Sequence, residues 1–119
     1  MKTNELQQLN NKIAKFMGWT YIPDSKKRLC WKTPEGWLRY KPPAFSTNMT
    51  MAMLVVEKME EMGFWVMMGD HDVDDEGTIE EIWWCKFYPS DENILERIEY
   101  ANTAPKAICL AALSAVANV

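Results

Sequence analysis

The chain has 119 residues, enough for one domain over 1–119 with a single hydrophobic core, and its 48% apolar and 25% charged residues are ordinary for a globular protein. The formal net charge of −4 argues against a protein that coats DNA or RNA, because such proteins neutralise phosphates with an excess of basic residues. No apolar stretch follows the first residues as in a secretory signal, and the three cysteines form no CxxC pair. We therefore expect a cytoplasmic protein with free thiols and no membrane segment.

Apolar residues recur at helical spacing near the N-terminus and predict a helix over about 4–16 that ends at Gly18. Short strands are predicted at 19–22, 28–32 and 37–40, separated by turn residues. A second helix is predicted over 49–62, after three good capping residues that end at Asn48. Its apolar stripe comprises Ala52, Val55, Met59 and Met62.

Further strands are predicted at 64–68, 79–88 and 94–100, followed by a terminal helix that Thr103 caps. After its first turn this helix is apolar on every side except at Ser114, and at about 12 residues it is too short for a bilayer, which needs roughly 20. Such a helix must be covered all round, so we expect a second subunit and hence a homo-oligomer. The order of elements predicts an α+β fold in which an antiparallel sheet carries three helices.

The acidic segment 70–77 resembles a calcium-binding loop, with Asp72 and Asp74 at the third and fifth positions counted from Asp70. Its sixth position, which needs glycine for a sharp turn, is Asp75, and the predicted flanks are strands rather than helices. We interpret it as an acidic hairpin tip. His71 is the only histidine, so neither a His-based triad nor a His metal pair is available. The sequence thus predicts no catalytic residue, metal or cofactor; a hydrolase that uses Asp72, Asp74 and a divalent ion is a weaker hypothesis.

Aromatic and basic residues alternate in the middle of the chain. Trp31, Trp37 and Tyr40 lie close in sequence to Arg28 and Arg39, a combination that suits a nucleotide, since bases stack on aromatic rings and arginine pairs with phosphate. The alternative is that the tryptophans pack the core and that the basic cluster at 26–28 is a solvated turn. In the later strand, the adjacent Trp83 and Trp84 must point to opposite faces.

Three stretches carry a resemblance to a known family: Pro-Ala-Phe-Ser-Thr-Asn at 43–48, Val-Val-Glu-Lys-Met at 55–59 with Gly-Phe at 63–64, and the apolar run with its Thr-Ala-Pro start at 101–113. The Met-Gly-Trp helix end at 17–19 also fits. Together they resemble the phage ABA-sandwich domain family. Asn48 stands where that family usually has an acidic cap, and Leu54 where a tryptophan is common, which concerns the face of the second helix rather than the fold.

The resemblance implies a function. Some members are similar to Thoeris anti-defence sponge proteins, which bind the cyclic ADP-ribose isomer made by bacterial TIR-domain defence proteins and sequester it without cleaving it. Some also hold cyclic oligonucleotides and assemble from dimers into hexamers. A protein of this kind would act in the host cell cytoplasm and would bind neither DNA, RNA nor membrane. The alternative is a phage accessory protein that binds another protein through its methionine-rich second helix and has no nucleotide ligand.

If the ligand is such a nucleotide, each candidate contact has a role set by its chemistry. Arginine and lysine would bind the phosphates, aromatic rings would stack on the base, and asparagine would bond to the ribose or the base edge. Thr103, at the start of the last helix, would add an anion contact, although its simpler role is that of a helix cap. The candidates are Lys27, Arg28, Arg39, Trp31, Trp37, Tyr40, Trp83, Asn93, Asn102 and Thr103.

Overall fold

The computed structural model describes residues 2–75, 78–89 and 98–117, and the chain forms two compact units, Met1–Ala44 and Phe45–Val119. The first unit contains helix α1 (Lys2–Phe16) and strands β1 (Thr20–Pro23), β2 (Leu29–Lys32) and β3 (Leu38–Arg39). The second contains helix α2 (Met49–Glu61), strands β4 (Phe64–Asp75), β5 (Thr78–Pro89) and β6 (Glu99–Ala101), and helix α3 (Ala104–Val116).

The strand pairings described are all antiparallel, which confirms the predicted α+β class with three helices. The strands form two three-stranded sheets, in the orders β1-β2-β3 and β4-β5-β6. The sequence pattern had suggested a single sheet, because local hydrophobic alternation predicts a strand without identifying its partner. Each unit therefore has its own sheet.

Helix α1 forms because its apolar residues recur every three or four positions and bury one stripe. Leu9, Ile13 and Ala14 are buried, and Ile13 retains none of its accessible surface. At the C-terminal end, the amide of Gly18 donates to the carbonyl of Lys15 over 3.0 Å. Gly18 has a φ of +87°, in the left-handed region that glycine adopts without steric cost. The predicted helix end is therefore confirmed.

The first sheet aligns aromatic and basic residues across its three strands. Tyr21 pairs with Trp31, and Trp31 pairs with Arg39. Because directly opposed residues of antiparallel strands project from the same face, these three side chains form one row across the sheet. Cys30 is buried, and its Sγ donates to the carbonyl of Ile22 at 3.5 Å.

Helix α2 begins at the predicted cap. Asn48 has an extended backbone, and its Oδ1 accepts a hydrogen bond from the amide of Met51 at 3.1 Å. This bond provides an acceptor for one of the backbone N–H groups that have no partner at the start of a helix. The helix ends at Glu61. Met62, which was predicted in the apolar stripe, lies after this end and is 46% exposed, so that part of the prediction is wrong. The buried residues of α2 are Ala52, Val55, Val56 and Met59.

Strands β4 and β5 form a long hairpin whose register runs from Phe64 opposite Pro89 to Asp75 opposite Thr78. The strand predicted to end at Met68 thus continues for seven more residues. The acidic segment therefore lies at the distal end of a hairpin, as predicted, but its residues from Asp70 to Asp75 are paired strand rather than turn. Pairing with β5 outweighs the low intrinsic strand preference of aspartate. Residues 76 and 77, and the side chains of 71–81, lie outside the described part of the structure.

Strand β5 places its two adjacent tryptophans on opposite faces, as the alternation predicts. Cys85 and Phe87 share the face of Trp83 and are buried, whereas Trp83 and Trp84 are each half-buried. Gly69 pairs with Trp84, and a Cβ atom at Gly69 would lie 3.1 Å from the indole ring. Glycine at this position therefore allows the Trp84 ring to lie against the neighbouring strand.

Helix α3 begins after Thr103, which has the extended backbone of an N-cap. The predicted position of the cap is therefore confirmed. The Thr103 hydroxyl, however, accepts no hydrogen bond from a backbone amide of the first turn, as a capping side chain would. The carbonyl of Thr103 accepts the amide of Ala107 at 3.1 Å. Pro105 lies in the first turn, where backbone N–H groups have no acceptor within the helix, so its lack of an N–H costs no helical hydrogen bond.

The second unit itself covers much of α3, which contacts α2, β5 and β6. Leu110, Leu113 and Val116 are only half-buried. The sequence suggested that a second subunit must cover α3 on every side. In the structure, only the half-buried part of its apolar surface is left for a second subunit to cover. The residues of α3 that are buried are Ala104, Ala107, Ile108, Cys109, Ala111 and Ala112.

All three cysteines are free and buried, as expected. Burial raises the pKa of the Cys85 thiol to about 12. Burial, together with the nearby Cys85, raises the pKa of Cys109 to about 12 as well. None of the helices in the described ranges combines the length and the apolar character needed to cross a membrane.

Candidate functional site

The turn between β1 and β2 is organised by one carboxylate, that of Asp24. Its Oδ1 accepts the backbone amides of Lys26 at 2.8 Å and Arg28 at 2.9 Å. Its Oδ2 accepts Nε of Arg28 at 3.0 Å and the hydroxyl of Tyr40 at 2.7 Å. Lys27 lies at the bend with a φ of +64°. The carboxylate thus fixes a five-residue turn and also joins it to the residue that follows β3.

These hydrogen bonds set the charge state of the turn. The amide of Arg28 and the hydroxyl of Tyr40, which both favour the ionised carboxyl, lower the pKa of Asp24 to about 2. The hydrogen bond to Asp24 raises the pKa of Arg28 and also that of Tyr40. The cluster therefore consists of a carboxylate, a guanidinium and a neutral phenol at neutral pH.

Asp24 also positions the Arg28 side chain over an aromatic ring. The guanidinium carbon lies 5.0 Å from the centre of the Tyr40 ring, within the range of a cation–π contact. The Arg28 side chain is 63% exposed, whereas that of Asp24 is only 2% exposed. The arginine is held at its Nε and remains accessible to solvent, an arrangement that can present a cation to an anionic ligand.

A cleft of about 250 Å³ lies within the first unit, beside this cluster. One wall is a polar stripe of α1 whose members are spaced four residues apart and so share a helix face. The opposite wall is largely aromatic and comes from β1, β2 and the segment after β3. The lining residues are Gln7, Asn11, Lys15, Tyr21, Leu29, Trp31, Tyr40 and Pro42.

The aromatic wall has one fixed ring and two accessible ones. Trp31 is 6% exposed, and its ring centre lies 5.0 Å from that of Tyr21 with the planes tilted by 46°. Tyr21 and Tyr40 are each 53% exposed. The arrangement can accept a planar ring against tyrosine while amide and ammonium groups approach from α1. The cleft is smaller than the roughly 300–1,000 Å³ of most small-molecule pockets, so it fits one heterocycle better than a whole dinucleotide.

Six of the predicted ligand contacts lie in the first unit. Trp31 and Tyr40 line the cleft, and Arg28 adjoins it through the Tyr40 ring. Arg39 lies on the same sheet face as Trp31 by register and is exposed. Lys27 and Trp37 are exposed at the two turns and are not among the lining residues; the amide of Trp37 donates to the hydroxyl of Thr33 at 3.1 Å.

The remaining candidates do not belong to this cleft. Trp83 lies in β5 and pairs with Ala101, which directly precedes Asn102 and Thr103. Asn102 and Thr103 are exposed at the start of α3. These three residues are therefore neighbours within the second unit. Asn93 lies outside the described residues.

Besides the apolar residues of the lining, five polar or aromatic residues of this site were not predicted from the sequence. Asp24 had been assigned only to a turn, although a carboxylate four residues before an arginine is a simple signal for an ion pair. The polar stripe of α1 was detectable from its spacing, but such a stripe is usually the solvated face of an amphipathic helix. The unpredicted residues are Gln7, Asn11, Lys15, Tyr21 and Asp24.

In the part of the chain that the structure describes, no three histidine, cysteine or carboxylate residues are placed so that they could hold a metal ion. The side chains of His71, Asp72 and Asp74 lie outside that part, so the calcium and hydrolase hypotheses are not addressed by it.

The comparison with known families gives one result. The family model described as the phage ABA sandwich domain matches residues 11–113, which include strands β1–β6, helix α2, the C-terminal part of α1 and all of α3 except its last three residues. No curated protein and no protein of solved structure shows a significant match to the chain.

Proposed function

The chain belongs to the phage ABA sandwich domain family, and on that premise we propose that it binds and sequesters a cyclic ADP-ribose-type signalling nucleotide made by bacterial TIR-domain immunity, without cleaving it. One observation carries the proposal: an exposed guanidinium, fixed by Asp24 over the Tyr40 ring, adjoins a cleft with an aromatic wall. Aromatic faces and positioned arginines are the groups that hold a base and its phosphates.

Each proposed role uses the chemistry of the residues in the first unit. The base would lie in the cleft against the exposed rings of Tyr21 and Tyr40, with Trp31 also in the lining. The diphosphate lies outside it, near Arg28, with Arg39 and Lys15 as further cations. Because the cleft is too small for the whole ligand, the remaining phosphate and ribose contacts come from exposed residues around it or from a second copy of the chain.

A second copy is part of the proposal. Leu110, Leu113 and Val116 of α3 are half-buried apolar residues that another subunit would cover. We therefore expect a homo-oligomer, at least a dimer, in solution. Light scattering at micromolar concentration should give a mass above the 13.8 kDa of one chain. A monomer mass would contradict the oligomer and any site shared between subunits.

Sequestration needs tight binding but no nucleophile or general base, and it would take place in the host cytoplasm, where the signal is made. The test is to mix the protein with the cyclic ADP-ribose isomer, measure the loss of free ligand after filtration, and then heat-denature the protein. Recovery of intact ligand supports a sponge. Recovery of degraded ligand contradicts it and indicates an enzyme, including one that uses the acidic segment of β4.

The alternative is a phage accessory module that binds a protein and no nucleotide, and exposed apolar surface favours it. On α2, Met49, Met53 and Leu54 are each about 40% exposed, at 41%, 42% and 42%. On the second sheet, Trp65 is 58% exposed and Tyr100 55% exposed. Exposed methionine and aromatic side chains suit an adaptable protein interface. In the filtration experiment this alternative predicts no loss of free ligand.

A further inference from the structure

The carboxylate of Asp24 is almost inaccessible, although it lies at the centre of the exposed basic turn. Its side chain is 2% exposed, whereas that of Arg28 is 63% exposed. Oδ1 accepts the backbone amides of Lys26 and Arg28, and Oδ2 accepts Arg28 Nε and the Tyr40 hydroxyl. Asp24 therefore influences a ligand through the groups that it binds and not through direct contact.

The two oxygens of this carboxylate restrain different parts of the turn. Oδ1 fixes the backbone, and Oδ2 fixes two side chains. The bond from Arg28 Nε, at 3.0 Å, uses one of the five N–H groups of the guanidinium. The other four N–H groups belong to Nη1 and Nη2, on a side chain that is mostly exposed. The Tyr40 ring, whose centre lies 5.0 Å from the guanidinium carbon, restrains the same group from its face.

Building on the proposed function, we propose that Asp24 is a positioning residue of the phosphate site. It orders Arg28 before the ligand binds, so that the two Nη groups donate to one phosphate of the diphosphate in two parallel hydrogen bonds. A planar guanidinium matches a phosphate in this bidentate geometry, whereas a lysine ammonium acts as a point charge. Ordering the side chain in advance removes an entropy cost that binding otherwise incurs.

Charge alone predicts the opposite effect of this carboxylate on binding. Asp24 and Arg28 together carry no net charge, and a carboxylate close to the arginine repels an approaching diphosphate. If Asp24 acted only through its charge, its neutralisation would strengthen binding. If Asp24 acts by ordering Arg28, its neutralisation weakens binding. The two roles therefore differ in the sign of the change.

The test is Asp24→Asn, measured by calorimetry with the cyclic ADP-ribose isomer. Asparagine keeps an Oδ1 that can accept both turn amides, but its Nδ2 replaces Oδ2 and cannot accept from Arg28 or Tyr40. Binding should weaken about 2- to 13-fold, which corresponds to the roughly 0.5–1.5 kcal/mol that ordering one long side chain costs. The matched control is Glu35→Gln, the same change of charge at an exposed residue of the same unit, which should not weaken binding.

A double-mutant cycle separates positioning from an effect on the fold. In the Arg28→Ala background, Asp24→Asn should weaken binding no further, because the arginine that Asp24 orders is absent. A further loss of the same size in that background overturns the proposal, since Asp24 would then act independently of Arg28. Binding by folded Asp24→Asn that equals or exceeds that of the parent also overturns it.

Arg28→Lys provides a second measurement should Asp24→Asn fail to fold. It keeps the charge but removes the planar fork, so it should bind nearly as weakly as Arg28→Ala. Arg39→Lys should lose less, because Arg39 is exposed and forms no ion pair among the described residues. Parent-like binding by Arg28→Lys overturns the positioning role and leaves the proposed function standing. Absence of binding by the parent protein overturns both.

Discussion

The packing of α3 is tested by Ile108→Ala. Ile108 is 0% exposed, on the helix that contacts α2, β5 and β6. The substitution removes three carbons, which at about 0.8 kcal/mol per buried CH₂ is about 2.4 kcal/mol of transfer free energy. The cavity left behind adds to this, so the free energy of unfolding should fall by about 3–4 kcal/mol. With 119 residues at about 2.1 cal/mol/K each, the melting temperature should fall by about 12–16 °C.

Thermal and urea unfolding followed by circular dichroism would measure this change. The matched control is Leu54→Ala, which removes the same number of carbons from a helix residue of the same unit that is 42% exposed. It should cost less than half as much. If Ile108→Ala lowers the melting temperature no more than Leu54→Ala does, Ile108 does not lie in the core of the second unit, and the described packing of α3 is wrong.

Three further predictions concern the binding residues and pH. Arg28→Ala and Arg39→Ala should each weaken binding of the cyclic ADP-ribose isomer about 30- to 150-fold in calorimetry, by removing a charge-assisted partner of the diphosphate; parent-like binding by both folded variants would assign the basic cluster to a solvated turn. Because the pKa of Asp24 is about 2, below its ordinary 3.8, its stabilisation is present above pH 4 and is lost as pH falls toward 2. A pH–melting profile that Asp24→Asn leaves unchanged in this range would contradict that role. Because the pKa values of Cys85 and Cys109 are raised from 9.0 to about 12, their stabilisation is present below pH 9 and is lost between pH 9 and 12; a thiol reagent that labels them in the native protein at pH 8 would contradict their burial.

The helices could be predicted from the sequence because their signals are local. Apolar spacing located α1 and α2, and the Asn48 cap and Gly18 marked their ends. The extent of β4 could not be predicted, since its acidic residues disfavour a strand locally and are held there by pairing with β5. The division into two sheets depends on which strands meet, and that information is not present in any single segment.

The candidate site was only half predictable. Arg28, Trp31 and Tyr40 were selected because cations and aromatic rings stood close together in sequence. The role of Asp24 depends on a hydrogen bond to Tyr40, 16 residues away, which no local pattern indicates. Asn11 stands on a polar helix face that normally contacts solvent, so its place in a cleft becomes evident only when α1 is placed opposite the aromatic wall.

The most direct test of the central claim is hydrogen–deuterium exchange of the protein with and without the cyclic ADP-ribose isomer. The account predicts slower exchange in peptides that cover α1 and the β1–β2 hairpin, because the ligand occupies the cleft between them and restrains the turn that Asp24 organises. Unchanged exchange throughout the chain, or protection confined to peptides of residues 98–117, would contradict the claim that the cleft of the first unit holds the nucleotide.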